Sequence, residues 1–573
     1  MKNLKLNLLL IAMTAIALSN CGGLSKMVEN AETVSYDVQP SPLETHGGEV
    51  EVTMNTTFPE KYFNKKAIVT ATPILKYEGG QTEFEPTVLQ GESVEANNKV
   101  IPLSGGSYSY TGKIPYKAEM LKSELIVEMS AQIGDKSPVT IPGIPVATGV
   151  IATPTLADET PQAIAMSDEF VRVSPETYDA EILYIINKYD VRKSELKKDD
   201  VVKLASDVKR AKNDERTQIK GARISAYASP DGALDLNERL SGNRGKSAKN
   251  YLTSTLKKLK VEEASADEFL KIATTAEDWD GFKELMQESE IKDKELILRV
   301  LSMYSEPEVR EKEIKNIAEA FEEIKVDVLP KLRRSQMFIE VEKVGYSDAE
   351  LDSIVKVDPD TLNIEELLYA AKLTDDNEAK LAIYQKAAEK YPEDVRPINN
   401  VGYVQVQQGK IGEAKTSFEA AKAIKDDDIV KNNLGAIALI EGDVAAAEEL
   451  LSSAMGAGES VNYNLGIIKI KQGDYSAAVN YFGNKPSFNA ALAQLCNGDT
   501  EKASTTLGAL GEVEDAKVYY LKAVAGARAG REEVVLSNLR IAIEKDASLK
   551  NYAAKDAEFR NYLASEGFSS IIQ

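Results

Sequence analysis

The feature that most constrains this chain is a repeat in its last third. Asn400-Val401-Gly402 recurs as Asn433-Leu434-Gly435 and as Asn464-Leu465-Gly466, with the glycines 33 and 31 residues apart. Gly409-Lys410 recurs as Gly442-Asp443, Gly473-Asp474 and Gly498-Asp499, and Ala414, Ala447 and Ala478 follow those turns at one offset. A period of this length belongs to helix-turn-helix units that cannot bury their apolar faces alone. Such units stack into a solenoid with a concave groove. The spacing predicts about five or six helix pairs over 362–573, with weaker units from Leu367 to Pro392 and from Ala516 to Ala547, the latter turning at Gly530.

The repeat resembles the tetratricopeptide (TPR) family, whose unit is about 34 residues. The resemblance implies that Asn400, Asn433 and Asn464 occupy equivalent places in each first helix. There they line the groove and hydrogen-bond the backbone of an extended partner, or pair locally with the neighbouring helix. The basic side chains of a carboxylate clamp are not evident around them, so the expected ligand is an internal segment or a folded surface rather than a free C-terminus.

The rest of the chain changes character twice. From about 34 to 155, Glu49-Val50-Glu51-Val52-Thr53-Met54 alternates polar and apolar residues, and Leu125, Val127, Met129 and Ala131 keep that period. Ala67 to Leu75 and Ser107 to Tyr110 are further strands, punctuated by Gly79-Gly80 and Gly105-Gly106. This predicts an antiparallel β-sandwich of Ig-like size. From about 169 to 344 the pattern becomes α/β, with strands at Ile182–Ile186, Ile224–Ala228, Glu268–Thr275 and Met337–Val341, and helices at Leu196–Ala211 and Leu236–Leu259. A charged helical insertion at about 276–330 carries the single tryptophan, Trp279, expected to anchor the insertion by packing. Residues 345–361 read as a linker. The predicted fold is therefore multidomain: β-sandwich, α/β domain with insertion, all-α solenoid.

The α/β region resembles the OmpA-like, peptidoglycan-binding-type domain. The residues that carry the resemblance are Ile224 to Gly232, the run Asn237-Glu238-Arg239-Leu240-Ser241-Gly242-Asn243-Arg244, Tyr251-Leu252, and Arg333-Arg334 before the last strand. Leu236, Leu240, Arg244 and Ala248 share one helix face, so Arg244 falls on an apolar stripe and needs a partner or a polar mouth. The resemblance implies that Arg244 and an Asp in the preceding turn hold the carboxylate end of a peptidoglycan stem peptide, to which a guanidinium fork is suited. Ser229 stands at the family's Asp position, and Asp231 two residues later is the substitute. The alternative is internal pairing of Arg244 with Asp231 or Asp235.

At the N-terminus, Lys2 and Lys5 precede an apolar run from Leu6 to Leu18, the pattern of a signal peptide over 1–20. Leu18-Ser19-Asn20-Cys21 resembles a bacterial lipobox, which implies acylation of Cys21 and a tether over 21–33. The rival cleavage, after Ala17-Leu18-Ser19, gives plain secretion. The whole order resembles Bacteroidetes envelope lipoproteins. Gly22 to Lys26 lack the acidic run of surface-exported members, which implies an outer-membrane protein facing the periplasm. An accessory role in outer-membrane protein export or assembly, without peptidoglycan binding, is the alternative function.

Composition narrows the classes. A formal net charge of -22 disfavours nucleic acid, which needs basic patches. One histidine, His46, removes most routes to a Ser-His-Asp triad, a Cys-His pair or a His-built zinc site. With Cys21 acylated, Cys496 has no disulfide partner. The expectation is a non-enzymatic scaffold with no catalytic residue, metal or cofactor. It binds a protein through its repeats, the membrane through its lipid, and peptidoglycan if the α/β site is competent.

Overall fold

The structure is a computed structural model, and it describes residues 24–266 and 268–573. Cys21 and the expected signal peptide lie outside the described residues. The chain divides into two compact units: residues up to Met166 together with Lys380–Gln573, and Ser167–Ala379. The β region and the helical array, which sequence order places at opposite ends of the chain, thus belong to one unit.

In the first unit, the N-terminal region forms two sheets. Glu49–Phe58 pairs antiparallel with Ser35–Gln39, Thr45–His46 and Gly106–Pro115. Ala67–Tyr77 and Ser123–Ile133 are the centre of a seven-stranded sheet. Alternation decides which residues enter the core: Val50, Val52 and Met54 are buried while Glu51 and Asn55 are exposed. They share one cluster with Val69, Leu75, Leu125, Val127 and Met129 of the other sheet. Met27, on the short helix Ser25–Glu29, and Leu24 just before it join the same core. The tether expected over 21–33 is therefore corrected: from Leu24 onward the chain is part of the β domain, because the apolar side chains of Leu24 and Met27 are buried in its core.

The helical array of this unit follows the repeat. Helices Val395–Gln407, Asp428–Ile440, Glu459–Lys471, Phe488–Cys496 and Ala516–Arg528 pair with Ile411–Ile424, Val444–Ser452, Tyr475–Phe482, Thr500–Ala509 and Glu532–Lys545. The recurrent glycines have two separate causes. Gly409, Gly442, Gly473, Gly498 and Gly530 turn between paired helices at φ of +69° to +91°, which favours a residue without a Cβ. Asp443 and Asp474 then cap the second helix by accepting from the N–H groups of Ala446 and Ala477. Gly402, Gly435 and Gly466 instead let paired helices touch. A Cβ there would lie 2.6, 2.7 and 2.5 Å from Phe418, Leu451 and Phe482.

The array and the β domain also meet through polar contacts. His46 Nδ1 lies 3.0 Å from the Tyr475 hydroxyl. Thr153 donates to Glu558, a buried carboxylate that Arg528 also grips with its Nε at 3.0 Å from both oxygens.

In the second unit, a four-stranded sheet runs in the order Val173–Leu183, Arg334–Val344, Thr217–Tyr227, Leu270–Thr275. The first two neighbouring pairs in that order are antiparallel, and Thr217–Tyr227 is parallel to Leu270–Thr275. Helices Asp199–Asn213 and Leu234–Lys258 supply Leu204, Val208, Ala248 and Leu252 to the core of this sheet. The insertion, Trp279 to Leu332, has a core of its own built on Phe282, Met286, Ile297 and Leu301. Trp279 packs against that core, edge-on to Phe282 with ring centroids 5.7 Å apart.

Two expectations change here. The strand expected at Ile182–Ile186 starts at Val173 and stops at Leu183, leaving Ile185 and Ile186 exposed. The linker expected over 345–361 holds the helix Asp348–Val357. A reciprocal cap between Ser347 and Glu350 starts it, and its Leu351 is buried.

Candidate functional site

Between the β domain and the second unit the chain has no regular secondary structure from 158 to 171. Residues 158–166 lie along the helical array as a strap. Pro161 favours extended backbone in the residue before it. The strap's peptide groups are met one by one by asparagines on the first helices. Met166 N–H donates to Asn400 Oδ1 at 2.7 Å, and Asn400 Nδ2 donates to Met166 O at 2.9 Å. Ile164 is held the same way by Asn433, at 2.7 and 2.8 Å. Gln162 is held by Asn464, at 2.7 and 3.0 Å, and Asp158 by Asn489, at 2.9 and 2.7 Å.

The geometry follows from period matching. One helix pair advances the array while two extended residues advance the strap, so Met166, Ile164 and Gln162 meet successive helices. The strap runs opposite to the order of the repeats. A primary amide suits the task because it carries an acceptor and a donor side by side, as one residue of extended backbone does. Two further asparagines complete the carbonyls: Asn399 donates to Ile164 O at 3.1 Å and Asn432 to Gln162 O at 3.0 Å. Asn433 donates to Asn399 Oδ1 at 2.8 Å and Asn464 to Asn432 Oδ1 at 3.1 Å, linking neighbouring repeats. All six amides are essentially solvent-free, where a polar group left without a partner is costly. The strap's ends are held by apolar packing, Met166 against Phe418, Val430 and Ile437, and Leu156 and Ala157 against the core of the array.

Asn400, Asn433 and Asn464 are thus brought onto one line, and the extended segment they bind belongs to this chain. The local-pairing alternative is present as well, through the links to Asn399 and Asn432. Sequence reasoning passed over Asn489. Its helix reads Asn489-Ala490-Ala491, without the glycine of the other repeats, yet it lies nine residues before Gly498, the offset of the other three from their turn glycines. The doublets Asn399-Asn400 and Asn432-Asn433 were the remaining signal.

No family model matches this chain, and no curated protein matches it. Among solved structures it is similar to TPR proteins. PilF of Pseudomonas aeruginosa is 16% identical, over 38% of this chain and 99% of that one, with a TM-score of 0.29. A tetratricopeptide repeat protein from Parabacteroides merdae is 16% identical over 39% of this chain and 97% of its own, with a TM-score of 0.25. Yeast Tom70 is 13% identical over 65% of this chain and 88% of its own, with a TM-score of 0.27.

The second group of expected site residues, in the α/β unit, is arranged differently from the expectation. Strand directions bring the loops after Leu183, Tyr227 and Thr275 and the start of Arg334–Val344 to one end of the sheet. Asp231 does not face Arg244. It pairs with Arg333 at 3.2 Å and accepts from Ser229, whose hydroxyl in turn accepts from Arg333 Nε at 3.2 Å. Asp235 pairs with Arg239 on the exposed helix surface, at 3.6 Å. Both internal partners proposed for Arg244 are therefore corrected. The 229–233 turn aims Asp231 at the arginine that precedes the last strand, and the first turn of the helix aims Asp235 outward.

Arg244 is buried and donates to two backbone carbonyls, Lys188 O at 3.1 Å and Tyr227 O at 2.9 Å, with its guanidinium 5.4 Å from the centre of the Tyr184 ring. It forms no ion pair among the described residues. Burial pulls the guanidinium down to about 10, opposed by the Tyr184 phenol and the Asp231 carboxylate and reinforced by the nearby Arg333 cation. Arg334 is held by Asp278 at 3.0 Å and by Glu181 at 3.7 Å.

Proposed function

We propose that this chain is a non-enzymatic envelope scaffold, lipid-anchored through Cys21 to the outer membrane and facing the periplasm, that binds a partner protein through its helical repeats. The observation that carries the reading is the asparagine ladder, a recognition surface made of neutral amides and directed at extended backbone. It offers neither nucleophile nor base. A lipid on Cys21 would hold the β domain close to the membrane, because Leu24 already belongs to its core. The test is fractionation of cells carrying the wild-type chain or Cys21→Ala, with labelled palmitate. Label and membrane association confined to wild type, with a discrete protein adduct on in-cell crosslinking through the helical array, is the expected result. A soluble wild-type chain without label would overturn the anchor, and the absence of any adduct would overturn the scaffold.

A second reading rests on Arg244. A buried guanidinium hydrogen-bonded only to carbonyl oxygens has no carboxylate in direct contact. The terminal carboxylate of a peptidoglycan stem peptide would make that contact if the loop after Leu183 opened. In this reading the α/β unit ties the scaffold to the cell wall. Co-sedimentation with insoluble peptidoglycan, lost in Arg244→Ala, is its expected result; no sedimentation of the wild-type chain makes the α/β unit structural.

A further inference from the structure

We propose that the strap over 158–166 is an internal stand-in for an extended segment of another protein, and that such a segment enters the groove at the Asn464–Asn489 end and displaces it. The inference rests on the scaffold reading above and names the partner of that same surface. Recognition in the groove is directed at backbone: each of the four clamps takes the N–H and the C=O of one residue. Such a site reads backbone first, with side chains adding contacts at Met166, which is buried with Phe418, Val430 and Ile437, and at Gln162, whose side-chain oxygen accepts from Ser460 at 3.1 Å. Between them stand Ala163 and Ala165, both half-buried, so the segment that fits is extended and has small residues at alternate positions.

The strap is not held evenly. Asn400, Asn433 and Asn464 take residues two apart, whereas Asn464 and Asn489 take Gln162 and Asp158, four apart. Of the intervening residues Pro161 is buried, while Glu159 and Thr160 are exposed and make no hydrogen bond with the asparagines. Thr160 N–H turns back to Asp158 Oδ1 at 3.0 Å, Glu159 reaches Lys471 at 2.7 Å, and residues 158–160 are exposed. Beside Gln162 the array leaves a cleft of about 590 Å³, lined among others by Asn462, Tyr463, Asn480, Asn484 and Ser487. Tyr463 accepts from Asn489 at 3.2 Å, so the cleft adjoins the last clamp. Amides and hydroxyls there give an incoming backbone both donors and acceptors, and the exposed residues 158–160 give it a place to start. A strap tethered at both ends has a high effective concentration, of order mM for a short linker. The closed groove is therefore the resting state, and a free segment competes only once that end is loosened.

The test uses the full chain and a fluorescein-labelled synthetic peptide of residues 157–167. Asp158→Pro and Gln162→Pro each remove one N–H accepted by a clamp without touching the array. Either opened variant is expected to bind the peptide at least tenfold more tightly than wild type, and adding Asn464→Ala is expected to cancel that gain. Equal binding by wild type and opened variants overturns the proposal. So does absence of binding to an opened variant whose strap amides exchange rapidly. Dimerisation of the opened chains in place of peptide binding also overturns it, making the occupant a second copy. None of these results alters membrane attachment or crosslinking of the wild-type chain, so the scaffold reading stands or falls separately.

Discussion

The strap ladder and the arginine cluster of the α/β unit solve the same problem, burial of polar groups, in opposite ways. The ladder uses neutral amides whose donors and acceptors match backbone groups one for one, repeated at the period of the fold. The arginine cluster uses charges, and its pairing is set by loops that converge only at one end of a sheet. A repeated neutral contact is fixed by the helices that carry it. A charged contact depends on the loops that aim it, and the turn that carries Asp231 aims it at Arg333.

The largest expected effect is in the ladder. Asn433→Ala removes the acceptor for Ile164 N–H and the donor to Asn399, and each buried group left bare costs about 1–3 kcal/mol. Urea unfolding should show the loss in the unit that contains the array, with little dependence on salt. If Asn433→Ala costs no more than an exposed Asn→Ala change, the strap is not docked as described. Next is Arg333→Ala, which removes the counter-charge of Asp231 and the donor to the Ser229 hydroxyl. A fully buried pair broken this way costs about 3–5 kcal/mol, and partial exposure of Asp231 brings the expectation to about 2 kcal/mol. That loss should shrink at high salt, and a salt-independent loss would erase the contrast between the two regions.

A pH effect comes third. Burial pushes the Asp556 carboxyl up to about 6, opposed by the N–H of Glu558 and the hydroxyl of Tyr520. Its folded value lies above the unfolded one, so the folded state binds the proton more tightly. The stability it contributes is full below about pH 4 and is lost as pH rises through 6, at no more than about 1.4 kcal/mol per pH unit. Asp556→Asn should flatten that slope in thermal unfolding between pH 4 and 7; an unchanged slope would place the titration elsewhere. The smallest effect is Arg239→Ala. It breaks the exposed pair with Asp235 and should change stability by less than about 0.5 kcal/mol.

How much of this was legible in the sequence follows from the same contrast. Asn-x-Gly at a fixed offset from a turn glycine revealed three of the four clamps, because the glycine records a close helix contact and the asparagine a repeated position. Asn489 escaped where Ala491 fills the glycine's place. The strap itself carries no period strong enough to read: Gln162-Ala163-Ile164-Ala165-Met166 is short, and its partners lie more than 200 residues away. Leu24 and Met27 read as tether because so short a segment has no pattern, and only the core they enter explains them. In the α/β unit, Arg244 was legible as a buried cation from its helix face. Its partners were not, since both are backbone carbonyls that leave no trace in side-chain identity.

The most direct test of the account is amide hydrogen exchange across 158–166 in the intact chain. The ladder predicts slow exchange at Asp158, Gln162, Ile164 and Met166, with faster exchange at Ala163 and Ala165 between the clamps. Uniformly rapid exchange through this segment would contradict the docked strap and leave the asparagine groove open.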